Sequence, residues 1–478
     1  MHERTSSWRV TAVSFVAVVL ACWAVLETSE TFARGFSLLI YLLASLVVFL
    51  DIFDFSLRLH FRKTHAAVED YQSGTSISLD IAQYTPYQKR LHMRPFALVI
   101  SVHNAEDEID DFLAGMERYR DHVWFIDDGS TDDTVSRIRQ AGWRIIEGET
   151  NRKKPGAIRR ILQLLPSEIE TLMVLDPDVI IRDHSSGELS SLETVLFDFQ
   201  RSGMAAVCPR IAIREDGLLA RLQGLEYCMA FSLGRMSLAD HGITSGISIY
   251  RRDALEFVLK HHSLSVYAED LENSTILLGN GEQVYYDARL VVETEGKRTW
   301  SGWFSQRVGW AFGLMKVYCE RFKEIRIVGK RQFSAAYQFL IYMGGFNLLL
   351  HPLKLVSLFL LSLSLAKGLE TLLGLSLIPN WSAADPVYFL AAFTKFTLLA
   401  LAAIFLAVPR GERLHLIPVV PLFFFYAHVQ LLPATVGYAN WLSLRLLGFR
   451  VWADHFQDEE SLLRQNRKPV FARSRATR

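Results

Sequence analysis

A chain of 478 residues, half of them hydrophobic, is long enough for about two or three domains. Its 51 Lys and Arg residues balance its 51 Asp and Glu residues, which excludes a global electrostatic case for nucleic acid as a partner. Cys22, Cys208, Cys228 and Cys319 have neither metal-ligand spacing nor the look of a disulfide framework, and read as scattered thiols in a reducing compartment.

Val10–Leu26 is apolar and uncharged, and Phe36–Leu50 is a second apolar run that extends to about Leu57 across Asp51 and Asp54. Each is near the roughly 20 residues a bilayer span needs. The first run lacks a clear small-x-small cleavage site and a second follows at once, which argues against a signal peptide. Residues 1–60 are therefore expected to hold two transmembrane helices and 61–93 a linker. The chain is of mixed polarity to about Lys330, then turns apolar, with spans expected at Tyr337–Ala366, Val387–Val408 and Leu416–Val436 within 331–440.

Arg58, Arg62 and Lys63 follow the second span, and Arg410 and Arg413 lie between the last two. By the positive-inside rule both clusters, and the soluble region with them, are cytoplasmic. Three C-terminal spans would then leave the tail outside, although Arg464–Arg478 holds six Lys or Arg residues. Two resolutions are open. Tyr337–Ala366, which contains Pro352, is an interfacial helix plus a span that continues towards Leu377; or Leu416–Val436, with Pro418, Pro421 and Pro433, re-enters. Residues 441–478 read as an amphipathic segment, Trp441–Trp452, and a basic cytoplasmic tail suited to anionic lipid. Leu218–Leu238 reads equally as an amphipathic surface helix or a core-facing one.

In the middle, Phe96–Val102, Val123–Ile126, Trp143–Glu147, Leu172–Leu175 and Met204–Cys208 are strand patterns. Glu108–Met116, Asp132–Gln140 and Gly156–Leu165 alternate with them as helices. Alternation of this kind implies an α/β fold with a mostly parallel sheet covered on both faces. Ligands of such sheets bind beyond the carboxyl ends of the strands. His103-Asn104, Asp127-Asp128 and Asp176-Pro177-Asp178 then share one rim. In the stretch VWFIDDGSTDDT, turn and N-cap chemistry explains Gly129–Thr134, with Ser130 or Thr131 capping a helix that begins near Asp132. It explains the adjacent carboxylates of Asp127 and Asp128 less well, because they repel unless something positive or hydrogen-bonding meets them. Asp176 and Asp178 bracket one residue and can reach one divalent cation, and hard oxygen ligands suit Mg2+ or Mn2+. Neither GxxxxGK[ST] nor GxGxxG occurs on this sheet, so those nucleotide modes find no support.

The pattern resembles the family-2 glycosyltransferases, and within them the membrane-embedded cellulose, chitin, hyaluronan and poly-N-acetylglucosamine synthases. The resemblance covers roughly Arg94–Gly313. Leu98–Glu106 is similar to the opening strand and N-E-E turn, and Phe125–Asp132 to the second strand. Asn151–Ala157 is similar to the basic N-x-x-K-x-x-A loop, and Leu175–Asp178 to the DxD motif. His241–Gly246 with Tyr250–Leu255 resembles the acceptor segment, Ala268-Glu269-Asp270 the T-E-D motif, and Gln306–Trp310 the Q-x-x-R-W motif.

The resemblance implies a GT-A type, Rossmann-like domain over 94–330 that performs inverting, metal-dependent transfer from a nucleotide sugar, expected to be UDP-linked. It implies Asp270 as general base with Glu269 shaping its surroundings. It implies donor binding by Asn104, Asp127, Asp128, Lys154, Asp176 and Arg307, and acceptor binding by Gln306, Trp310, Ser245 and Gly246. Asp178, supported by Asp176, would hold the metal. The expected partners are the donor, a glycan or lipid-linked acceptor, membrane lipid and an accessory export subunit; the expected location is the plasma (inner) membrane.

One position departs from the family: the Arg before Trp310 is Gly309. That Arg contacts the donor diphosphate in the family, so Arg307, Lys297 or Arg298 is expected to substitute. The motif accompanies processive synthesis, so its loss bears on processivity more than on transfer. Three functions stay open: a processive β-glycan synthase, an enzyme adding one sugar to a lipid or lipid-linked acceptor, and a non-catalytic nucleotide-sugar-binding membrane protein. Blander readings stand beside the site roles. Trp300, Trp303 and Trp310 suit a membrane interface, and Glu269-Asp270 suits a helix N-terminus.

Overall fold

The computed structural model describes residues 46, 49–60, 85–182, 190–214, 216–236, 238, 242–375 and 386–452. The expected span Val10–Leu26 lies outside them. Its core is one sheet of eight strands: β1 Phe96–Val102, β2 Val123–Asp127, β3 Ile145–Ile146, β4 Thr171–Leu175, β5 Ile180–Arg182, β6 Ala206–Ile213, β7 Ser248–Arg251 and β8 Val284–Thr294. They lie in the order β3-β2-β1-β4-β7-β6-β8-β5. β1 pairs in parallel with β2 and β4, β2 with β3, and β6 with β8; β7 runs antiparallel to β4 and β6, and β5 to β8.

The period-2 alternation of a strand sets the two faces. Leu98, Ile100 and Val102 of β1 pack with Ile109, Phe112 and Met116 on one side. Ala97 and Val99 pack with Ile158, Ile161, Leu255 and Leu277 on the other. Helix Ile109–Met116 starts within a residue of expectation. The basic loop does not remain a loop: Lys153 opens helix Lys153–Leu162, so Lys154 stands in its first turn, pointing along the rim. The helix after β2 begins at Thr134, not near Asp132.

Beyond the sheet, helix Leu218–Tyr227 widens into a π-helical turn at Cys228–Leu233. It is a core-facing element: Leu222, Leu225 and Leu233 pack with Ala400, Ala403 and Ile404 of helix Pro386–Ala407. Chain 337–373 divides at Leu350 into a π-helix Tyr337–Leu349 and helix His351–Leu373, with Pro352 in the first turn, where its missing N–H costs nothing.

Among the described residues, three helical runs are long and apolar enough to cross a membrane: His351–Leu373, Pro386–Ala407 and Arg410–Leu446. The third is tied to the soluble domain throughout. Glu412 pairs with Arg182 at 2.8 Å and Arg210 at 2.5 Å. Tyr426 donates to Glu226 at 2.5 Å and accepts from Trp303 at 2.7 Å. A Cβ on Gly437 would stand 2.5 Å from the carbonyl oxygen of Val308, so glycine alone permits this helix to approach Trp300–Glu320. After the helix ends, Arg450 donates to the Tyr267 hydroxyl at 2.7 Å. Residues near both ends of the run therefore lie against the same domain.

Candidate active site

The rim is built from three strand ends. After β1, Asn104 adopts a left-handed conformation, φ 51°, which Asn tolerates better than most residues. Its Oδ1 accepts from Thr131 N at 2.8 Å and its N donates to Ser130 Oγ at 3.1 Å. Glu106 Oε2 accepts from Asp133 N at 3.2 Å, and Asp132 Oδ2 accepts from Glu106 N at 3.1 Å. Ser130 and Thr131 are thus engaged by the β1 turn and do not cap the helix; Asp132 Oδ1 takes Thr134 N at 3.1 Å instead.

After β2, the paired acids meet backbone donors. Asp127 accepts from Ser130 N at 2.9 Å, Gly129 N at 3.2 Å and Gly148 N at 3.4 Å. Asp128 Oδ1 accepts from Arg152 N at 2.7 Å. Separate N–H groups offset the repulsion between neighbours. Burial still pushes the Asp128 carboxyl up, against the pull of the Arg152 and Lys153 amides.

After β4, the acids meet side chains instead. Lys154 Nζ donates to Asp176 Oδ1 at 2.5 Å and to the Gly246 carbonyl at 2.9 Å, with Glu269 Oε1 at 3.8 Å. Burial opposes the charge on Lys154, but Asp176 and then Glu269 outweigh it and raise its pKa. Asp178 Oδ2 accepts from Thr294 Oγ1 at the end of β8, at 2.8 Å. Burial raises the Asp178 carboxyl, and the charge on Asp176 raises it further. Two hard carboxylates that repel each other fit a divalent cation by donor chemistry. Among the described residues no three His, Cys, Asp or Glu side chains converge into a closed cage. A cation here would take its other ligands from substrate and water, as Mg2+ and Mn2+ do.

Gly246 lies at the centre of this group. A Cβ there would stand 3.0 Å from Lys154 Nζ, 3.3 Å from Asp176 Oδ2 and 3.6 Å from Glu269 Oε1. Helix Glu269–Asn280 begins beside it, after Ala268 in a left-handed conformation, φ 52°. Gly313 makes that turn possible, since a Cβ on it would meet Ala268 Cβ at 2.7 Å. Asp270 accepts from Leu271 N at 2.8 Å. Burial raises its carboxyl against the pull of Arg235. Glu269 is pushed up to about 8 by burial, with Lys154 opposing and Asp270 adding. Lys154 sits closer to Asp176 than to Glu269, so its pull on Glu269 is the weaker of the two. Glu272, on the same helix, goes the other way: His262 and Lys316 overcome its burial and hold it at about 2.

The structure brings Lys154, Asp176, Gly246 and Glu269 together directly, with Asp178 and Asp270 adjoining them. It puts Arg307 in a buried bidentate pair with Glu226, at 3.0 Å and 2.6 Å. Gln306 Oε1 accepts from the same guanidinium, which lies 4.1 Å from the centre of the Trp310 ring. Trp310 packs beside Tyr227 and Phe231. Ser245 is buried, with its hydroxyl bonded to the Ile247 carbonyl and 3.3 Å from Cys208 Sγ.

Sequence reasoning did not single out two further groups. Thr294 holds Asp178. Arg235, bonded to the Thr244 carbonyl at 3.2 Å, acts electrostatically on Asp270, as Lys154 does; its only signal was a charge inside the run 218–238.

Residues 97–259 match the model described as Glycosyl transferase family 2, and the chain is a glycosyltransferase. The sheet and its helical layers are GT-A-like, with a helical C-terminal region. Among solved structures, a mannosyltransferase from Pyrobaculum calidifontis in complex with GDP-Man and Mn2+ is 15% identical with a TM-score of 0.43; the match covers 82% of this chain and 99% of that one. Glucosyl-3-phosphoglycerate synthase from Mycobacterium tuberculosis, with Mn2+, UDP and phosphoglyceric acid, is 17% identical with a TM-score of 0.34, over 49% of this chain and 82% of that one. No curated protein matches the chain.

Proposed function

We propose that the chain transfers a sugar, with inversion, from a UDP-linked donor to a growing β-glycan, working at the cytoplasmic face of the plasma (inner) membrane. The observation that carries this reading is the convergence of Lys154, Asp176, Gly246 and Glu269, beside Asp178 and Asp270, at the carboxyl ends of the strands of a family-2 domain. Asp178 and Asp176 would hold Mg2+ or Mn2+, which when bound offsets the charge developing on the departing diphosphate.

Asp270 takes the proton from the acceptor hydroxyl as that oxygen forms its bond to the anomeric carbon. The bond from that carbon to the diphosphate oxygen breaks, and its electron pair leaves with the nucleotide. Lys154 is placed to exchange Asp176 for a diphosphate oxygen. Protonated Glu269 spares Asp270 a neighbouring negative charge. Asn104, Asp127 and Asp128 set the shape of the nucleoside end through the loops they bind. Arg307 supports this reading as a clamp on helix Trp300–Glu320, which presents Trp310 and Gln306 towards the acceptor; contact with the diphosphate is not its part, because its guanidinium is committed to Glu226.

A second reading is transfer of one sugar to a lipid-linked acceptor. It is favoured by the pairing of Asp51 with Lys395 and of Asp54 with Arg58, which spends on one another groups that an open glycan channel would present. Incorporation from a panel of labelled UDP-sugars into membrane vesicles with Mn2+, followed by sizing of the product, tests both. A long polymer from one donor supports the first reading. A single sugar on an organic-extractable lipid supports the second. Donor binding without incorporation would overturn both.

A further inference from the structure

A second charged cluster stands apart from the rim, among the helices beside the domain. Helical residues 49–60 carry Asp51, Asp54 and Arg58 on successive turns. Lys395 Nζ lies 2.5 Å from Asp51, and Arg58 Nε lies 2.9 Å from Asp54. Tyr337 donates to Asp54 at 2.9 Å, and the Arg58 guanidinium lies 4.4 Å from the centre of the Tyr342 ring. Lys354 joins the cluster through Phe346, whose ring lies beneath its Nζ and stacks on Tyr342, with ring centres 5.8 Å apart. Its Nζ donates to Asn347 Oδ1 at 2.8 Å and lies 3.6 Å from the centre of the Phe346 ring. Among the described residues, no carboxylate is within ion-pair distance of it.

Among the described residues the charges do not balance. Three cations, Arg58, Lys354 and Lys395, face two carboxylates, Asp51 and Asp54. The described apolar runs near them have no acid to add: 333–369, 386–411 and 413–452 contain no Asp or Glu. An uncompensated cation beside apolar surface is costly and calls for an anion. Lys354 stands in the first turn of its helix, one turn from His351, which is 2.8 Å from Thr435 Oγ1 on the run tied to the soluble domain. Ile341 and Leu349, near it in the chain, expose 51% and 79% of their surface. An anion that brings its own apolar chain fits both features.

We propose that Lys354, with Asn347 beside it, seats the phosphate of a membrane lipid. The proposal stands whether or not the transfer reading holds, because its readout is binding. Native mass spectrometry of the full chain in detergent would compare three probes: dioleoyl phosphatidic acid, dioleoylglycerol, which has the same chains without phosphate, and inorganic phosphate. Saturable binding of one phosphatidic acid per chain is expected, without retention of the other two.

Lys354→Gln should weaken that binding about tenfold, as loss of a charge-assisted contact does, and Lys354→Arg should retain it. Asn347→Asp, which supplies the missing acid in place, should displace the lipid while leaving the fold intact. Lys367→Gln, whose lysine already pairs with Glu370 at 3.2 Å, should change nothing. Equal binding by Lys354→Gln and the unaltered chain would overturn the proposal, as would retention of dioleoylglycerol. Competition by inorganic phosphate at matching concentration would assign the site to free phosphate and overturn the lipid.

Discussion

Asp127 ends β2 and Asp128 follows it, and Asp176 and Asp178 follow β4, on either side of β1. The first pair is buried and bonded to backbone N–H groups of its own and neighbouring loops. The second pair is held by Lys154 and Thr294, side chains that can move away when a ligand arrives. The same residue type at equivalent ends of neighbouring strands thus performs two tasks. Where the partners are amides, the carboxylates fix the loop. Where they are an ammonium and a hydroxyl, the carboxylates are kept ready for exchange.

The largest expected effect lies on the chemical side of that comparison. Asp270→Asn should lower transfer by about 10^2–10^4-fold, the usual loss for a general base, with nucleotide binding unchanged by calorimetry. Normal turnover would remove Asp270 from the base role. On the structural side, Asp127→Ala leaves amides without their acceptor and should cost about 1–3 kcal/mol, seen as a lowered thermal midpoint in detergent. If the midpoint holds and only nucleotide affinity falls, the contrast between the pairs collapses.

Glu269 sharpens the comparison through pH. Its carboxyl titrates near 8 when folded and near the ordinary 4.5 when unfolded. Between those values the folded state binds more protons, so stability is greatest on the acid side and declines as pH rises from 4.5 to 8. Glu269→Gln should flatten that decline in thermal unfolding across the same window. The smallest effect is expected of Gly246→Ala. Its new methyl meets the flexible end of Lys154 at 3.0 Å, so the fold should hold while misplacement of the lysine lowers transfer by about tenfold.

Much of this arrangement was legible in the sequence. β1, β2 and β4 are unbroken apolar runs, and each ends in polar residues, so the rim could be read directly. β5 and β7, with three and four residues, are too short to show a period. β8 is interrupted by Asp287, which pairs with Arg289 at a bulge against β6, so its apolar pattern breaks in the middle. The pairing of Arg307 with Glu226 joins residues 81 apart in sequence. Both lie in helices that pack only because of the tertiary fold, and no local pattern reveals which acid an arginine will meet. The contacts of Glu412 and Arg450, near the ends of a run whose composition alone resembles a span, were likewise beyond any local pattern.

The most direct test is a calorimetric titration of UDP, with and without Mn2+, into the full chain and into Asp178→Asn. The account predicts that Mn2+ tightens UDP binding to the unaltered chain, and that Asp178→Asn loses this gain while keeping its thermal midpoint. Metal-dependent affinity that survives in Asp178→Asn would contradict the assignment of the exchangeable pair to the donor.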